Sequence, residues 1–222
     1  MKFYNLITRS IVLVLTTFLL ISCGSSENNN VDSGYSDLTE EQKYALSYMW
    51  HEEKLAYDIY VTLDANTPSN QLSNIANRSE TKHIGLVQDL VEKYNLDITN
   101  ATDYENGYSE EILESMPIGE YKIAKIQDLY NILYDKGINS LQDALEVGCM
   151  VEVTDIDDLD KYLEISKGAQ DLIDTFTILI EGSYKHYWAF DSGLKNLGIE
   201  NGCCSLGVIN GVDYCHDEYP RD

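Results

Sequence analysis

Apolar residues recur three or four positions apart along most of the chain, which is the spacing that puts them on one face of an α-helix. This pattern predicts helices over residues 39–64, 70–94, 121–136, 140–166 and 169–197. The intervening residues 95–118 are rich in Asn, Asp, Gly and Ser and predict a long crossover. Strand patterns are sparse. The sequence therefore predicts an all-α fold: a four-helix bundle with a long crossover and a short extra helix.

Polar residues interrupt the apolar seam of each long helix near its middle. They are Glu53 in the predicted 39–64 helix, Glu80 and His83 in the 70–94 helix, Glu152 and Asp155 in the 140–166 helix, and Ser183 and His186 in the last helix. In an antiparallel bundle these positions fall at about the same depth. A buried, unpaired carboxylate costs roughly several kcal/mol, and a divalent cation shared by converging side chains offsets that cost.

The interrupted seams therefore predict a metal site. The expected ligands are Glu53, Glu80, His83, Glu152, Asp155 and His186. Glu80 and His83 are three residues apart, so they lie on one helix face and can bind one metal, or one each of an adjacent pair. Carboxylates with imidazoles suit iron or manganese better than a soft-metal site. Iron is the expected cofactor, and a di-iron pair, manganese or another dication stays open.

Each of these signals also has a purely structural interpretation. A single Glu-x-x-His motif is common as an exposed polar pair, and a lone His on an apolar face is more often a core residue. Glu52 competes with Glu53 and is expected to face outward beside it. Tyr60 lies one heptad after Glu53 and can donate a hydrogen bond to a ligand or carry a radical, with core packing as the plainer role.

The N-terminus has the pattern of a secretory signal. Lys2 and Arg9 precede an apolar run over residues 11–21, which is short for a transmembrane span. Leu20-Ile21-Ser22-Cys23 resembles a bacterial lipobox, in which Cys23 becomes the lipidated first residue; an ordinary signal peptide is the alternative. The predicted organisation is a signal peptide (1–22), a lipidated Cys with a flexible tether (23–38), a helical bundle (39–198) and a Cys-containing tail (199–222).

The charge of the chain limits its partners. The formal net charge is −23 at pH 7, which repels nucleic acid and attracts cations loosely. We therefore expect no nucleic-acid partner, and a membrane contact made through the lipid. The predicted localisation is the bacterial cell envelope, on a membrane and facing the periplasm or the exterior. Assembly into a homo-oligomer stays open.

Four cysteines follow Cys23. Cys149 lies in a helical pattern and is expected to be a small core residue. Cys203, Cys204 and Cys215 lie in the Gly-rich tail, and outside the cytoplasm such thiols tend to oxidise. A disulfide from Cys215 to Cys203 or to Cys204 is the preferred interpretation. A metal knuckle that includes His216 is the alternative.

Four segments resemble a known family. "EEKLAYDIY" and "SETKH" resemble the first two helices of rubrerythrin-type ferritin-like proteins. Together with "IANRSETKH", "SLQDALEVGCMVEVTDIDDL" and "EGSYKHYWAF", they resemble more closely the ferritin-like family catalogued as domain of unknown function 2202, over about residues 40–197. The resemblance implies a ferritin-like bundle with a metal site and no established reaction.

The same resemblance assigns ligand positions. The positions that match the rubrerythrin pattern are Glu53, Glu80, His83, Glu152 and His186. Asp155 stands where that pattern has a second Glu, and Ser183 stands where the last Glu-x-x-His would have its Glu. The site is therefore expected to be one carboxylate short.

Three functions follow as hypotheses. The leading one is a membrane-tethered ferritin-like metal protein, with oxidase or peroxidase chemistry at an iron pair and an external reductant. The others are a non-catalytic metal binder or sensor, and a structural or interaction module at the cell envelope.

Overall fold

A computed structural model of the chain describes residues 38–99 and 107–221. The helices are α1 (Glu40–Asn66), α2 (Asn70–Ile75), α3 (Thr81–Lys93), α4 (Glu110–Glu114), α5 (Ala124–Gly137), α6 (Leu141–Ile165) and α7 (Gln170–Asn196). A π-helical turn (Ala76–Glu80) joins α2 to α3, and a 3-10 turn (Gly202–Leu206) precedes the antiparallel hairpin of β1 (Val208–Ile209) and β2 (Val212–Asp213). The described chain is mostly helical, as the periodicity predicts.

The predicted signal peptide and lipidation site lie outside the described residues, as do residues 100–106 of the crossover. Within the described ranges, no helix combines the length and the apolar character that crossing a membrane requires.

Local side-chain chemistry sets where the long helices begin. Thr39 Oγ1 accepts from the Gln42 N–H (3.2 Å), and Gln42 Oε1 accepts from the Thr39 N–H (3.0 Å), which forms a capping box at α1. Ser140 Oγ accepts from the Asp143 N–H (3.1 Å) at the start of α6. These caps satisfy backbone donors that the first helical turn leaves without partners.

The long helices enclose a shared core. α1 packs against α3 and α6, and α7 packs against α3 and, most extensively, against α6. Gly148 allows a close approach in the α6–α7 interface, since a Cβ at this position would lie 2.4 Å from the Phe190 ring. α5 packs outside this group, on α1 and α6. The middle of each long helix therefore projects toward the same interior.

A buried ion pair in α1 fixes the far end of the crossover. Lys54 pairs with Asp58, and the Lys54 ammonium also donates to the Pro117 carbonyl (3.0 Å). Asp58 Oδ2 also accepts hydrogen bonds from the Tyr121 hydroxyl (2.8 Å) and the Gly119 N–H (2.9 Å). The crossover is thereby held against α1 by charge-assisted hydrogen bonds.

Two disulfides fasten the C-terminal tail. Cys149 in α6 is bonded to Cys203, and Cys204 is bonded to Cys215. Cys149 is a buried core residue, as predicted, and it is also cross-linked to the tail, which the helical pattern did not predict. The Cys204–Cys215 bond is one of the two pairings that the tail pattern left open. Because these sulfurs are in disulfides, a knuckle that uses them with His216 is not formed.

We expect the Cys149–Cys203 bond to stabilise the fold more than the Cys204–Cys215 bond. The sequence separations are 54 and 11 residues, and a longer loop restricts the unfolded chain more. Changing Cys149 and Cys203 to Ser together should lower the free energy of unfolding by about 2–4 kcal/mol, measured by urea denaturation. The matched Cys204/Cys215 pair of substitutions should cost about 1 kcal/mol less. The opposite order would contradict this expectation.

Candidate metal centre

A π-helical turn interrupts the predicted 70–94 helix at the site. The Thr81 N–H bonds to the Ala76 carbonyl, five residues back, instead of four. Such a turn inserts one extra residue, rotates the following side chains and occurs frequently at functional sites. Ser79 and Glu80 lie in this turn, and His83 follows in the first turn of α3. The turn therefore sets the direction in which these three side chains point.

Two groups of side chains meet in the core, and each can hold a metal ion. The first contains Glu53, Glu80 and His83; the second contains Glu80, Glu152 and His186. In each group the ligand atoms lie within 4.8 Å of one another. These five residues, here called the Glu/His cluster, come from α1, the π turn, α3, α6 and α7, and all are buried.

Glu80 is shared between the two groups. Its Oε2 lies 3.1 Å from His83 Nδ1, and its Oε1 lies 3.0 Å from His186 Nδ1. Each ring also meets a carboxylate of its own: His83 Nδ1 is 3.1 Å from Glu53 Oε2, and His186 Nδ1 is 3.4 Å from Glu152 Oε2. The ring centroids are 5.5 Å apart. The arrangement is thus two matched halves joined by one carboxylate.

Three atoms in the cluster are buried without a hydrogen-bond partner. They are Glu53 Oε1, Glu80 Oε1 and His186 Nδ1. Glu80 Oε1 and His186 Nδ1 are close to each other but are not aligned as a hydrogen bond. Each such atom costs about 1–3 kcal/mol, and one cation in each of the two groups would satisfy all three. The donor set of carboxylate oxygens and imidazole nitrogens therefore fits a divalent metal ion.

Two hydroxyl groups orient the second half of the cluster. The Tyr60 hydroxyl donates to Glu152 Oε1 (2.5 Å), which leaves Glu152 Oε2 toward His186. Ser79 Oγ hydrogen-bonds to His186 Nε2 (2.8 Å), so that Nδ1 faces the carboxylates. Partners of this kind fix ring orientation at metal sites. Tyr60 is therefore both a core residue and a hydrogen-bond donor. Nothing in the apolar pattern indicated a role for Ser79.

Asp155 and Ser183 lie beside the cluster and bond to each other. The Ser183 hydroxyl donates to Asp155 Oδ2 (2.6 Å), and both residues are buried. Burial, followed by the Glu53 carboxylate, raises the pKa of Asp155 well above its usual range. Asp155 belongs to neither three-residue group, and its role as a ligand stays a prediction. Ser183 faces the interior, as the seam of the last helix predicts.

Contrary to the prediction, Glu52 does not face outward. It is 5% exposed, because α5 covers this side of α1 with Leu129 and Leu133. Burial, followed by the Asp158 and Asp155 carboxylates, raises the pKa of Glu52 well above its usual range. The helical seam alone could not reveal this, since the covering helix is separated from Glu52 by about 70 residues of chain.

Both histidines of the cluster are protonated on both ring nitrogens, and therefore positively charged, when no metal is bound. Burial disfavours a charged His83, but the Glu53 and Glu80 carboxylates outweigh burial and raise its pKa to about 11. Burial acts in the same way on His186, where Glu152 and Glu80 raise the pKa to about 10. Burial works against ionisation of Glu80, but His186 and His83 hold its pKa below the usual range. A metal ion would therefore displace protons from both rings.

Gly182 in α7 makes room for His83. A Cβ at position 182 would lie 2.5 Å from His83 Cε1 and 2.6 Å from Nε2, which is closer than real contacts allow. We expect Gly182→Ala to displace the ring and to weaken metal binding by about 10–100-fold, as loss of a supporting residue does. Titration of the metal-free variant measures this.

Gly85→Ala is the matched control for that variant. It adds the same methyl group two residues from His83, and nothing lies within 4 Å of the new Cβ. It should leave metal affinity unchanged and stabilise α3 slightly, by up to about 1 kcal/mol. Equal effects of the two substitutions would show that helix propensity, not the position of the ring, explains the result.

The fold and the cluster define a class: a mostly helical protein with a buried Glu/His group that can bind a metal ion. The chain belongs to the family described as "Uncharacterized protein domain (DUF2202)", whose model matches residues 41–207. The membership in domain of unknown function 2202 that the four segments predict is thereby confirmed.

A curated protein and a solved structure are similar to this chain. The chain is similar to "Uncharacterized protein MJ0754" of Methanocaldococcus jannaschii, with 35% identity over 161 residues, 72% of this chain and 79% of that protein. It is also similar to the crystal structure of hypothetical protein MJ0754 from Methanococcus jannaschii DSM 2661, with 34% identity and a TM-score of 0.64. That match covers 74% of this chain and 85% of the other.

Proposed function

We propose that this chain is a ferritin-like metal protein that binds a pair of divalent ions, iron foremost, in the Glu/His cluster. The observation that carries the proposal is Glu80, whose two oxygens each approach one histidine and so join two matched sets of ligands. Helix-bundle proteins with two metals use carboxylates and Glu-x-x-His motifs from facing helices in this way. The ferritin-like four-helix bundle is part of the proposal.

Each metal would have its own ligands and share Glu80. Glu53 and His83 would hold one ion, and Glu152 and His186 would hold the other. An iron pair supplies one-electron chemistry toward dioxygen or peroxide when it is bound. An external reductant would have to deliver the electrons.

The surrounding residues would limit what reaches the metals. All members of the cluster are at most 7% exposed, so a large substrate cannot contact them without a movement of the helices. Tyr60 holds Glu152 by a hydrogen bond, and burial, followed by the Glu152 carboxylate, raises the pKa of Tyr60 well above its usual range. The phenol therefore stays protonated and can keep donating. A small oxidant fits this site better than an organic substrate.

Metal counting tests the proposal. Purified protein, stripped and then loaded with Fe²⁺ without oxygen, should retain two ions per chain by elemental analysis. His83→Ala should retain about one and keep its helical circular dichroism. His216→Ala, a change in the tail, should retain two. A wild-type chain with no metal above background, or an unaffected His83→Ala variant, would refute the proposal.

Turnover separates catalysis from storage or sensing. If the loaded protein consumes dioxygen or peroxide in proportion to its metal content and a supplied reductant, it is an oxidase or peroxidase. If it binds metal and shows no turnover with several reductants, the non-catalytic function is correct. If no metal binds, the hypothesis of a structural or interaction module is correct.

We also propose that Cys23 tethers the domain to the membrane of a bacterial cell envelope. The lipobox order of residues 20–23 supports this, and a lipid chain anchors a protein without any membrane span. Cys23→Ser should move the protein from the membrane fraction to the soluble fraction, whereas Ser25→Ala should not. Unchanged fractionation of Cys23→Ser would show that another feature holds the protein to the membrane.

A further inference from the structure

The two disulfides of the tail differ in their access to solvent. Cys149 and Cys203 are completely buried, whereas Cys204 and Cys215 are both partly exposed. Thiol–disulfide exchange requires that a thiolate reach one of the two sulfurs. A small dithiol in solution can therefore attack the Cys204–Cys215 bond, while the fold shields the other bond.

The chain around Cys204 stays in place without the Cys204–Cys215 bond. Its neighbour Cys203 is bonded to Cys149 in α6. The Cys203 N–H also donates to Asp191 Oδ1 (3.1 Å), a buried carboxylate of α7. Position 204 is thus fixed by a covalent bond and a hydrogen bond to the residue before it.

The chain around Cys215 is held in the same way, on both sides of the cysteine. The buried Tyr187 hydroxyl donates to the Tyr214 carbonyl (3.0 Å) and accepts from the His216 N–H (3.1 Å). The Tyr214 N–H donates to the Gly207 carbonyl (3.0 Å), which ties this part of the tail to the part that carries Cys204. Reduction of the bond should therefore leave the two sulfurs near each other.

A carboxylate lies beside these two sulfurs. One Asp217 oxygen is within 4.8 Å of both the Cys204 and the Cys215 sulfur. The Asp217 side chain is 82% exposed, and its ion pair with Arg221 is long, at 4.0 Å. The carboxylate can therefore turn toward an ion between the sulfurs. Two thiolates and one carboxylate, with water in the fourth position, are a ligand set that Zn²⁺ accepts.

We propose that Cys204, Cys215 and Asp217 form a second metal site, for zinc or another thiophilic ion, when a dithiol has reduced the Cys204–Cys215 bond. The dithiol becomes a disulfide and leaves two protein thiols, and the ion then displaces both thiol protons. While the bond is intact, its sulfurs bind no metal. A bound ion stabilises the reduced form by mass action, so metal and oxidation compete for the same two sulfurs.

This site differs in chemistry from the Glu/His cluster and does not depend on it. Thiolates select soft or borderline ions, whereas carboxylates with imidazoles suit iron or manganese. The chain would therefore sort metals by ligand type: iron in the core, and a thiophilic ion in the reduced tail.

Selective reduction is the first test. In the Cys23→Ser chain, every thiol comes from the two disulfides. A low concentration of dithiothreitol, followed by iodoacetamide and peptide mass analysis, should label Cys204 and Cys215 and leave Cys149 and Cys203 unlabelled. Helical circular dichroism should not change. Equal labelling of all four cysteines would overturn the proposal, because the tail would then lose its anchor together with the bond.

Binding of Co²⁺ to the same chain is the second test. A thiolate bound to Co²⁺ gives an intense charge-transfer band in the near ultraviolet. The Glu/His cluster contains no sulfur and cannot give this band. The reduced chain should gain the band with one Co²⁺ per chain, and the oxidised chain should not. Zn²⁺ should remove the band, because thiolates in a tetrahedral site prefer it.

Matched substitutions test the ligands. Asp217→Asn should weaken the Co²⁺ that gives the thiolate band by more than about tenfold, since loss of a supporting residue alone costs about 10–100-fold. Glu218→Gln removes the next charge along the chain, from a carboxylate that pairs with His216, and should leave the affinity unchanged. Changing Cys204 and Cys215 to Ser together should abolish the band.

The outcomes separate this site from the metal centre in the core. A reduced chain that shows no thiolate band overturns the tail site, and this comparison needs no substitution at the proposed ligands. Equal effects of Asp217→Asn and Glu218→Gln would also overturn it, because Asp217 would then not be a ligand. A chain that loads the core and shows no band leaves the proposed function intact, and a band without metal in the core refutes only the proposed function.

Discussion

Glu80→Gln should remove both metal ions at once. Glu80 is the one residue that belongs to both ligand groups, with one oxygen toward each histidine. The amide has one oxygen fewer and no charge, so it cannot bridge two cations. Because a ligand matters more than a supporting residue, whose loss costs about 10–100-fold in affinity, we expect each site to weaken by more than about 100-fold.

The contrast with Glu53→Gln makes this expectation specific. Glu53 belongs to one group only, so its amide variant should keep one ion per chain while Glu80→Gln keeps none. Glu92→Gln, an exposed change on α3, should keep both ions. Elemental analysis after gel filtration measures all three. Full retention of one ion by Glu80→Gln would show that Glu80 is a terminal ligand and not a shared one.

The long helices were predictable because their signal is local. Short windows of sequence show apolar residues three or four positions apart, an N-cap residue such as Thr39 or Ser140, and polar residues in the middle of an apolar seam. The predicted 39–64 and 140–166 helices lie within two residues of α1 and α6 at each end. The candidate ligands followed from the same seams, since the seam residues of several helices must meet in one core.

The connections within the site were not predictable, because they depend on distances between helices. The shared role of Glu80 needs the π turn, and nothing in the segment "ANRSE" distinguishes that turn from ordinary helix. Gly182 has a meaning only once His83 faces it from another helix. The Cys149–Cys203 bond likewise needs the tail to fold back on α6, which helical periodicity cannot indicate.

Metal binding should release at least two protons per chain at pH 8. The carboxylates of the cluster hold the pKa of His83 at about 11 and that of His186 at about 10, so both rings are protonated at this pH. A ring nitrogen must lose its proton before it can bind a metal. The association constant of each metal should therefore rise about tenfold per pH unit up to the pKa of its histidine.

The metal-free protein should show the opposite dependence on pH. A histidine whose pKa is raised on folding stabilises the fold fully below the unfolded value of 6.5 and loses that contribution as pH rises toward the folded value. The free energy of unfolding should thus fall between pH 7 and pH 9.5 in the metal-free chain. With metal bound the rings are already deprotonated, so this loss should disappear.

Two measurements check these opposite dependences. Indicator dye in weak buffer counts the protons released as metal is added, and urea denaturation at several pH values gives the stability of both forms. His83→Ala should bind about one ion and release at least one proton fewer than the wild type, because it lacks one of the two protonated rings. His216→Ala should behave as the wild type, since its ring lies in the tail, where it pairs with Glu218. Metal uptake without proton release would mean that the two rings are neutral in the metal-free chain or do not bind the metals, and the assignment of His83 and His186 as nitrogen donors would then have to be abandoned.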